Sequence, residues 1–496
     1  MATATTIKLS TADAGVFSRN AREDSAKLAS ELLQKNEQEH HIFFNESRFH
    51  SKEEHYGNFL VFFQQELDIK GVATTLEEHI FAEDEHADDL RGRLFSGLIH
   101  PMIHLGFGIE FNQPAIIAEA LAQAAVHEAW IGPFLQSIED AAGGVGTKPG
   151  KTLTQLIHEI GQDEELLSSV HWGDDSYIRS GVLKRAPERM RHYCKQYTVS
   201  PETMAEQLSE MVNALVYCAA AAQHPPNLVK YDFITIHAVN CSIFFSSILT
   251  RPWISTRAKV RLLEWKGRMD LILYTSRHSP RLDMNEINSY PISKKTWDEI
   301  FRAGNSHQND DGHLVKLIRA IAHGQQISKA EDLMMKGDAW LKAGNMAIDA
   351  TASTPRWIFG SGFEEPWAGI GKPKDSEFYI GNTKAAKKAS DMLLQNFGTN
   401  IQSINYPTVP VGQDRLRTTP TPGHSRALGD ELTKALGSVW DELGLKRKSD
   451  GLFLQGVDPD ILVAFNCPQS LNKPLFGHDA ISGGKVEETL RVEAAA

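Results

Sequence analysis

Cysteine is scarce. Cys194, Cys218, Cys241 and Cys467 are the only four in 496 residues, and no CxxC pair occurs. Neither a disulfide framework nor a structural zinc site is therefore expected, and a reducing, cytoplasmic setting is implied. Long basic runs are also missing: 51 Lys and Arg stand against 63 Asp and Glu, a net charge of −12, which argues against nucleic acid as a partner. No apolar run is long enough to cross a membrane. The most apolar stretch, ITIHAVNCSIFFSSIL from Ile234, is interrupted by His237 and Asn240 and reads as a buried helix. The opening MATATTIKLSTADAG lacks the apolar core of a secretory signal. Phosphate-cradling loops are absent too. GGVGTKPGKT (143–152) has its glycines misplaced for GxxxxGK[ST] and follows no strand. Nor does any strand lead into GxGxxG, so no Rossmann-type flavin or nicotinamide site is visible.

What the chain does have is helical periodicity. SAKLASELLQKN (25–36), GNFLVFFQQELD (57–68), DDLRGRLFSGLI (88–99), PAIIAEALAQAAVHEAW (114–130), MAEQLSEMVNALVYCAAAA (204–222) and KVRLLEWKGRMDLILYTSR (259–277) carry apolar residues at three- and four-residue spacing. Residues 1–371 thus read as one all-α unit within a mainly α chain. Beyond GIGKPKDSE the pattern changes to helix–strand–strand–helix over 376–447, with strands expected at 401–409 and 414–420. A domain boundary is expected at 371–376. Residues 448–496 form a tail to which the sequence assigns no structure.

Histidines punctuate the helical part. His100 and His104, four apart in LIHPMIHLGFGIEF, have the spacing that lets two imidazoles on one helical face share a metal ion, although Pro101 between them marks a helix start or stop. His237 lies in the most apolar helix. His127 falls on a polar stripe with Glu119 and Gln123, as a metal ligand, a group orienting a ligand, or a partner of Glu119. In DGHLVKLIRAIAHGQ (311–325), His313, Lys316, Ala320 and His323 share one side of a helix, opposite Leu314, Leu317, Ile318 and Ile321. Periodicity leaves open whether that polar side is solvated or lines a buried site. Histidines on four separate helices suit a site inside a bundle.

The runs HHIFFNESRFH (40–50), LIHPMIHLGFGIEFNQPAIIAEALAQAAVHE, FITIHAVN, DGHLVKLIRA and RWIFGSGFEEPW (356–367) resemble the questin oxidase-like family of fungal aromatic-polyketide pathways, over most of residues 20–370. The resemblance implies an oxygenase akin to Baeyer–Villiger oxidases, which opens the quinone ring of an anthraquinone with O₂ and without flavin. It implies a ferrous iron held by His100, His104, His237 and His313 with Lys316. A neutral lysine is a poor ligand, but one carbamylated by CO₂ is a carboxylate. Catalytic roles are expected for Lys316 and His127, and NADPH is an open cofactor question. One departure stands out. The family continues after Phe49–His50 with a histidine-rich helix, roughly NHxxHH, where this chain has Ser51 and a SKEE capping-box pattern. A truncated, inactive member is therefore the alternative. Separately, INYPTVPVGQDRLRTTPTPGH within 376–447 resembles the small domain of 5-aminolevulinate synthase, with Arg417 matching that family's carboxylate-binding arginine. The rest of that enzyme is missing, which points to a fusion.

Overall fold

The computed structural model describes residues 3–7, 50–148, 150–307, 310, 312–330, 333–353, 355–371, 376–379, 383–404, 415–418 and 426–445. The helix expected at 25–36, most of the 40–50 motif, Cys467 and the tail 448–496 lie outside them. Helix makes up 66% of the structure and strand 3%, so the chain is mainly α.

Seven helices matter for the site: α1 (Tyr56–Leu76), α2 (Glu85–Arg93), α3 (His100–Glu110), α4 (Pro114–Val126), α5 (Met204–Ala221), α6 (Phe233–Ser242) and α7 (Thr256–Ser276). An eighth, α8 (His313–Ile327), carries the polar side described above. Helix α6 sits at the centre and packs against α3, α5, α7 and α8. All ten of its residues are buried, which is why it has no polar face. Its start is fixed by Asp232, whose Oδ1 accepts the backbone N–H groups of Ile234 and Thr235 at 2.9 and 3.1 Å. Phe233–Thr250 is apolar enough to qualify as a membrane span by composition, but 78% of it is buried within the protein, as a core element is.

Two short strands, β1 (Tyr231–Asp232) and β2 (Trp357–Ile358), pair in parallel. Asp232 locks them with its other oxygen: Oδ2 accepts from Gly360 N and Ser361 N at 2.6 and 3.0 Å. The RWIFGSG segment is thereby tied to the first turn of α6. Cys194, Cys218 and Cys241 are buried free thiols.

Beyond residue 371 the order is β3 (Ser376–Tyr379), α9 (Thr383–Phe397), β4 (Gln402–Ile404), β5 (Arg415–Thr418) and α10 (Arg426–Glu442). The sheet is antiparallel in the order β3–β5–β4. Strand β3 was not visible in the sequence, and the other two strands are shorter than expected. Leu416, Ala389, Leu393, Val439 and Trp440 belong to a hydrophobic cluster of their own, drawn from residues 389–440. Arg417 stands opposite Glu377 and Gln402 in the sheet register.

Several local expectations need correction. The helix expected at 88–99 ends at Arg93, and Gly97, Leu98 and Ile99 all adopt positive φ of 53, 54 and 57° before α3 begins. The helix expected at 114–130 stops at Val126 because His127 turns extended (φ −72°, ψ 153°). Ser51 forms no capping box: it has φ 63°, and its hydroxyl accepts from Arg93 at 2.9 Å. The glycine-rich 143–152 segment is a loop, with Gly143, Gly144 and Gly146 at positive φ.

Candidate active site

Helix α3 starts at His100, so Pro101 falls in its first turn, where a missing N–H costs no hydrogen bond. The three left-handed residues before it are unusual, since Ile99 is β-branched; such a conformation costs of order 1–3 kcal/mol and marks a functional turn when the surroundings enforce it. At Gly97 a Cβ would lie 2.5 Å from the His127 ring, on a backbone of positive φ, so this position favours glycine. The payoff is directional. Gly97 presents its carbonyl to His100 Nδ1 at 2.9 Å.

His237 is oriented in the same way by its own helix, with Nδ1 2.6 Å from the carbonyl of Phe233. A carbonyl only accepts, so both Nδ1 atoms carry the proton and both Nε2 atoms are bare acceptors. These two Nε2 atoms face one another at 3.1 Å. His313 completes the group: one nitrogen from each of His100, His237 and His313 lies within 4.8 Å of the others. Its ring centre is 5.1 Å from that of His237 and 4.9 Å from Phe233.

Burial, followed by the nearby Lys316 charge, holds His100 down at about 4. Burial and then His100 hold His237 well below 6.5. Both are neutral at pH 7, the state in which imidazole binds a cation. Asn240, one turn beyond His237, is buried with neither end of its amide hydrogen-bonded among the described residues.

His104 is placed apart from this trio. It lies one turn further along α3, with Nε2 3.7 Å from Glu119 Oε2 of α4. Its side chain keeps 45% of its surface accessible, yet burial and Lys316 depress its pKa. Burial raises the Glu119 carboxyl. The tyrosine at the start of α1, Tyr56, is also pushed up, by burial and then by Glu119.

His127 is not brought to the trio either. It has left the helix on which the polar stripe was drawn, packs on Gly97, and is influenced by Glu53 and Arg93. Lys316, one turn past His313, is half-buried. On the side of the helix it shares, Ala320 and His323 are buried, whereas His313 and Lys316 keep partial exposure. Phe233, Phe359 and Trp357 form an aromatic wall beside His313, with centroid separations of 5.1 Å for Phe233–Phe359 and 6.5 Å for His313–Trp357. Sequence reasoning gave no role to this wall or to Glu119's pairing with His104. Phe233 was detectable as the residue four before His237.

A second cluster, Glu66, Glu78 and His79, also has metal-like spacing. Lys70 Nζ already lies 2.5 and 2.7 Å from the two carboxylates, so an ammonium serves them as counter-charge.

The profile of a family described as questin oxidase-like matches residues 15–321, a span holding every residue of the trio together with His104, His127 and Lys316. The chain belongs to the questin oxidase-like family. Relatives include a Baeyer–Villiger oxidase of Pestalotiopsis fici, 38% identical over 63% of this chain and 73% of that protein. A questin oxidase of Aspergillus terreus is 38% identical over 64% of this chain and 74% of its own length. A Baeyer–Villiger oxidase of Pestalotiopsis microspora is 31% identical over 70% of this chain and 94% of its own.

Proposed function

We propose that this questin oxidase-like chain is an oxidoreductase of fungal secondary metabolism. It opens the quinone ring of an anthraquinone-type aromatic polyketide with O₂, using ferrous iron held by His100, His237, His313 and a carbamylated Lys316. The names of its relatives support the reaction class. The metal reading rests on one observation: two deprotonated Nε2 atoms 3.1 Å apart, which repel unless a cation lies between them. At metal–nitrogen distances of about 2 Å this is the separation of two adjacent ligands on one ion. A lysine ammonium beside that ion would be repelled by like charge. Carbamylation reverses the sign and adds an oxygen donor of the kind iron accepts beside imidazole.

When bound, iron would supply the activation of O₂. The chain's own contribution is arrangement. Phe233, Trp357 and Phe359 offer flat apolar surface to a fused ring system and keep water from it. Burial raises the Glu119 carboxyl, which lies 3.7 Å from His104, and in its protonated form it would donate a hydrogen bond to a quinone oxygen. NADPH would be an external reductant, needed only if one oxygen atom leaves as water. A truncated, inactive protein is the weaker reading, because the trio and Lys316 are assembled despite the departure after His50.

The test is turnover. Protein loaded with ferrous iron without air, then mixed with a hydroxylated anthraquinone and labelled O₂, should yield a ring-opened product carrying the label. Absence of oxygen uptake with iron bound would contradict the reading.

A further inference from the structure

His100, His104, Phe107 and Phe111 recur once per turn along and just beyond α3, and each is partly accessible. Across from them α8 presents His313, Lys316 and Arg319, also partly accessible. Helix α6 packs against both and contributes Phe233 and His237, and Phe244, two residues past its end, lies 4.6 Å from Phe107 between ring centres. These partly accessible side chains of α3 and α8 flank α6, with the histidine trio at one end of the row.

Arg319 bridges the other end. Its guanidinium donates to the Glu110 carboxylate, on the last residue of α3, and its carbon lies 5.5 Å from the centre of the Phe111 ring. The two side chains keep only 14% and 19% of their surface. The pair is under-satisfied: Arg319 Nε and Glu110 Oε2 are buried and have no hydrogen-bond partner among the described residues. A desolvated guanidinium with an unused donor is costly, and a ligand oxygen can take up that donor.

We propose that Arg319, whose guanidinium Glu110 occupies in the absence of substrate, anchors an anionic oxygen of the aromatic substrate, a phenolate or a carboxylate at the end remote from the reacting ring. The inference rests on the substrate class proposed above and adds the group that is recognised. Arginine suits it because its planar, permanently charged fork binds oxygen pairs and stacks on an aromatic face, here Phe111. Arg319 lies six residues past His313, about 9 Å along the helix, a separation on the scale of a fused ring system. Hydroxylated quinones also carry phenols that ionise easily, so the anion is available. Binding displaces Glu110 from the guanidinium and forms no covalent bond.

Binding to the full chain, read by quenching of its tryptophan fluorescence, tests this with three probes: an anthraquinone carboxylate, a hydroxyanthraquinone and a neutral hydroxymethyl anthraquinone. Arg319→Met, which keeps length and packing, should weaken one or both acidic probes about tenfold, the scale of a charge-assisted hydrogen bond, and leave the neutral probe unchanged. Which acidic probe responds says whether phenolate or carboxylate is held. Glu110→Gln should tighten that same probe by removing the competing carboxylate. Equal binding of all three probes by Arg319→Met and wild type overturns the anchor, as does equal loss of all three with helix content intact. If Arg319→Met does not fold, Glu110→Gln decides: weaker or unchanged binding of both acidic probes sinks the proposal. Because no turnover is involved, this binding pattern in a protein that never cleaves a quinone would remove the oxygenase reading and leave the anchor standing.

Discussion

His237 Nε2 faces His100 Nε2 at 3.1 Å, and each ring spends its only N–H on a backbone carbonyl behind it. Two acceptors are thus held against each other by the helices that carry them, and His313 stands beside both. That opposition organises the account of the site.

Removing one member should release the metal. His237→Ala is expected to weaken iron binding by more than about 100-fold, the upper range for merely disturbing a ligand's support. Inductively coupled plasma analysis of protein purified without air measures it, with circular dichroism as the control for helix content. Wild-type iron content in the variant would be incompatible with the trio as ligands.

Lys316→Ala should abolish iron retention and ring opening while leaving helix content unchanged, and Lys316→Glu should restore part of the iron, because a carboxylate replaces the carbamate. Removing CO₂ during reconstitution should lower wild-type iron and leave Lys316→Glu unaffected. If CO₂ makes no difference to either protein, Lys316 acts without carbamylation.

Gly97→Ala tests the left-handed turn. The added methyl meets the His127 ring at 2.5 Å, at a residue with φ 53°. A stability loss of about 1–3 kcal/mol is expected, together with weaker metal binding as the carbonyl that orients His100 shifts. Urea unfolding and a metal titration read the two effects. Normal values for both would mean the turn is unstrained and unconnected to His100.

Acid sensitivity follows from His323, which hydrogen-bonds Ser246 Oγ at 2.9 Å and is lowered by burial, then by Arg319, from 6.5 to about 4. A base with a depressed folded pKa takes up protons more readily when unfolded. Its stabilising share is therefore complete above 6.5 and is lost as pH falls towards about 4. In metal-free protein, His323→Gln should flatten the fall of the urea midpoint through that window. An identical slope in the variant would place the acid sensitivity elsewhere.

The C-terminal segment should be dispensable. A chain ending at Gly371 keeps the helical core and the site, whereas residues 389–440 bury their apolar side chains in a cluster of their own. Its thermal midpoint and iron content should match those of the full chain. A large drop in either would show that the two parts support one another.

The all-α character was legible because periodicity records which side of a helix is buried, and helices dominate the chain. The central position of α6 was equally readable: a helix apolar on every side has nowhere else to go. His100, His237 and His313 could be nominated from motif spacing and resemblance, but not their separations, which depend on how α3, α6 and α8 cross. The roles of Gly97 and Ile99 were hidden because a left-handed turn between two helices leaves the apolar spacing of 88–99 intact. His127 was misplaced for a related reason: helical spacing continues in the sequence through Trp130, although the backbone turns extended at His127. Arg319 was invisible as a bridge because its partners, Glu110 and Phe111, are some two hundred residues away in the chain.

The most direct test is anomalous diffraction at the iron edge from crystals of protein loaded with ferrous iron under CO₂ and without oxygen. The account predicts one strong peak about 2 Å from Nε2 of both His100 and His237, in contact with His313 and with density extending Lys316 Nζ by a carboxylate. A peak at Glu66, Glu78 and His79 instead, or no bound iron while the protein still opens quinones, would contradict it.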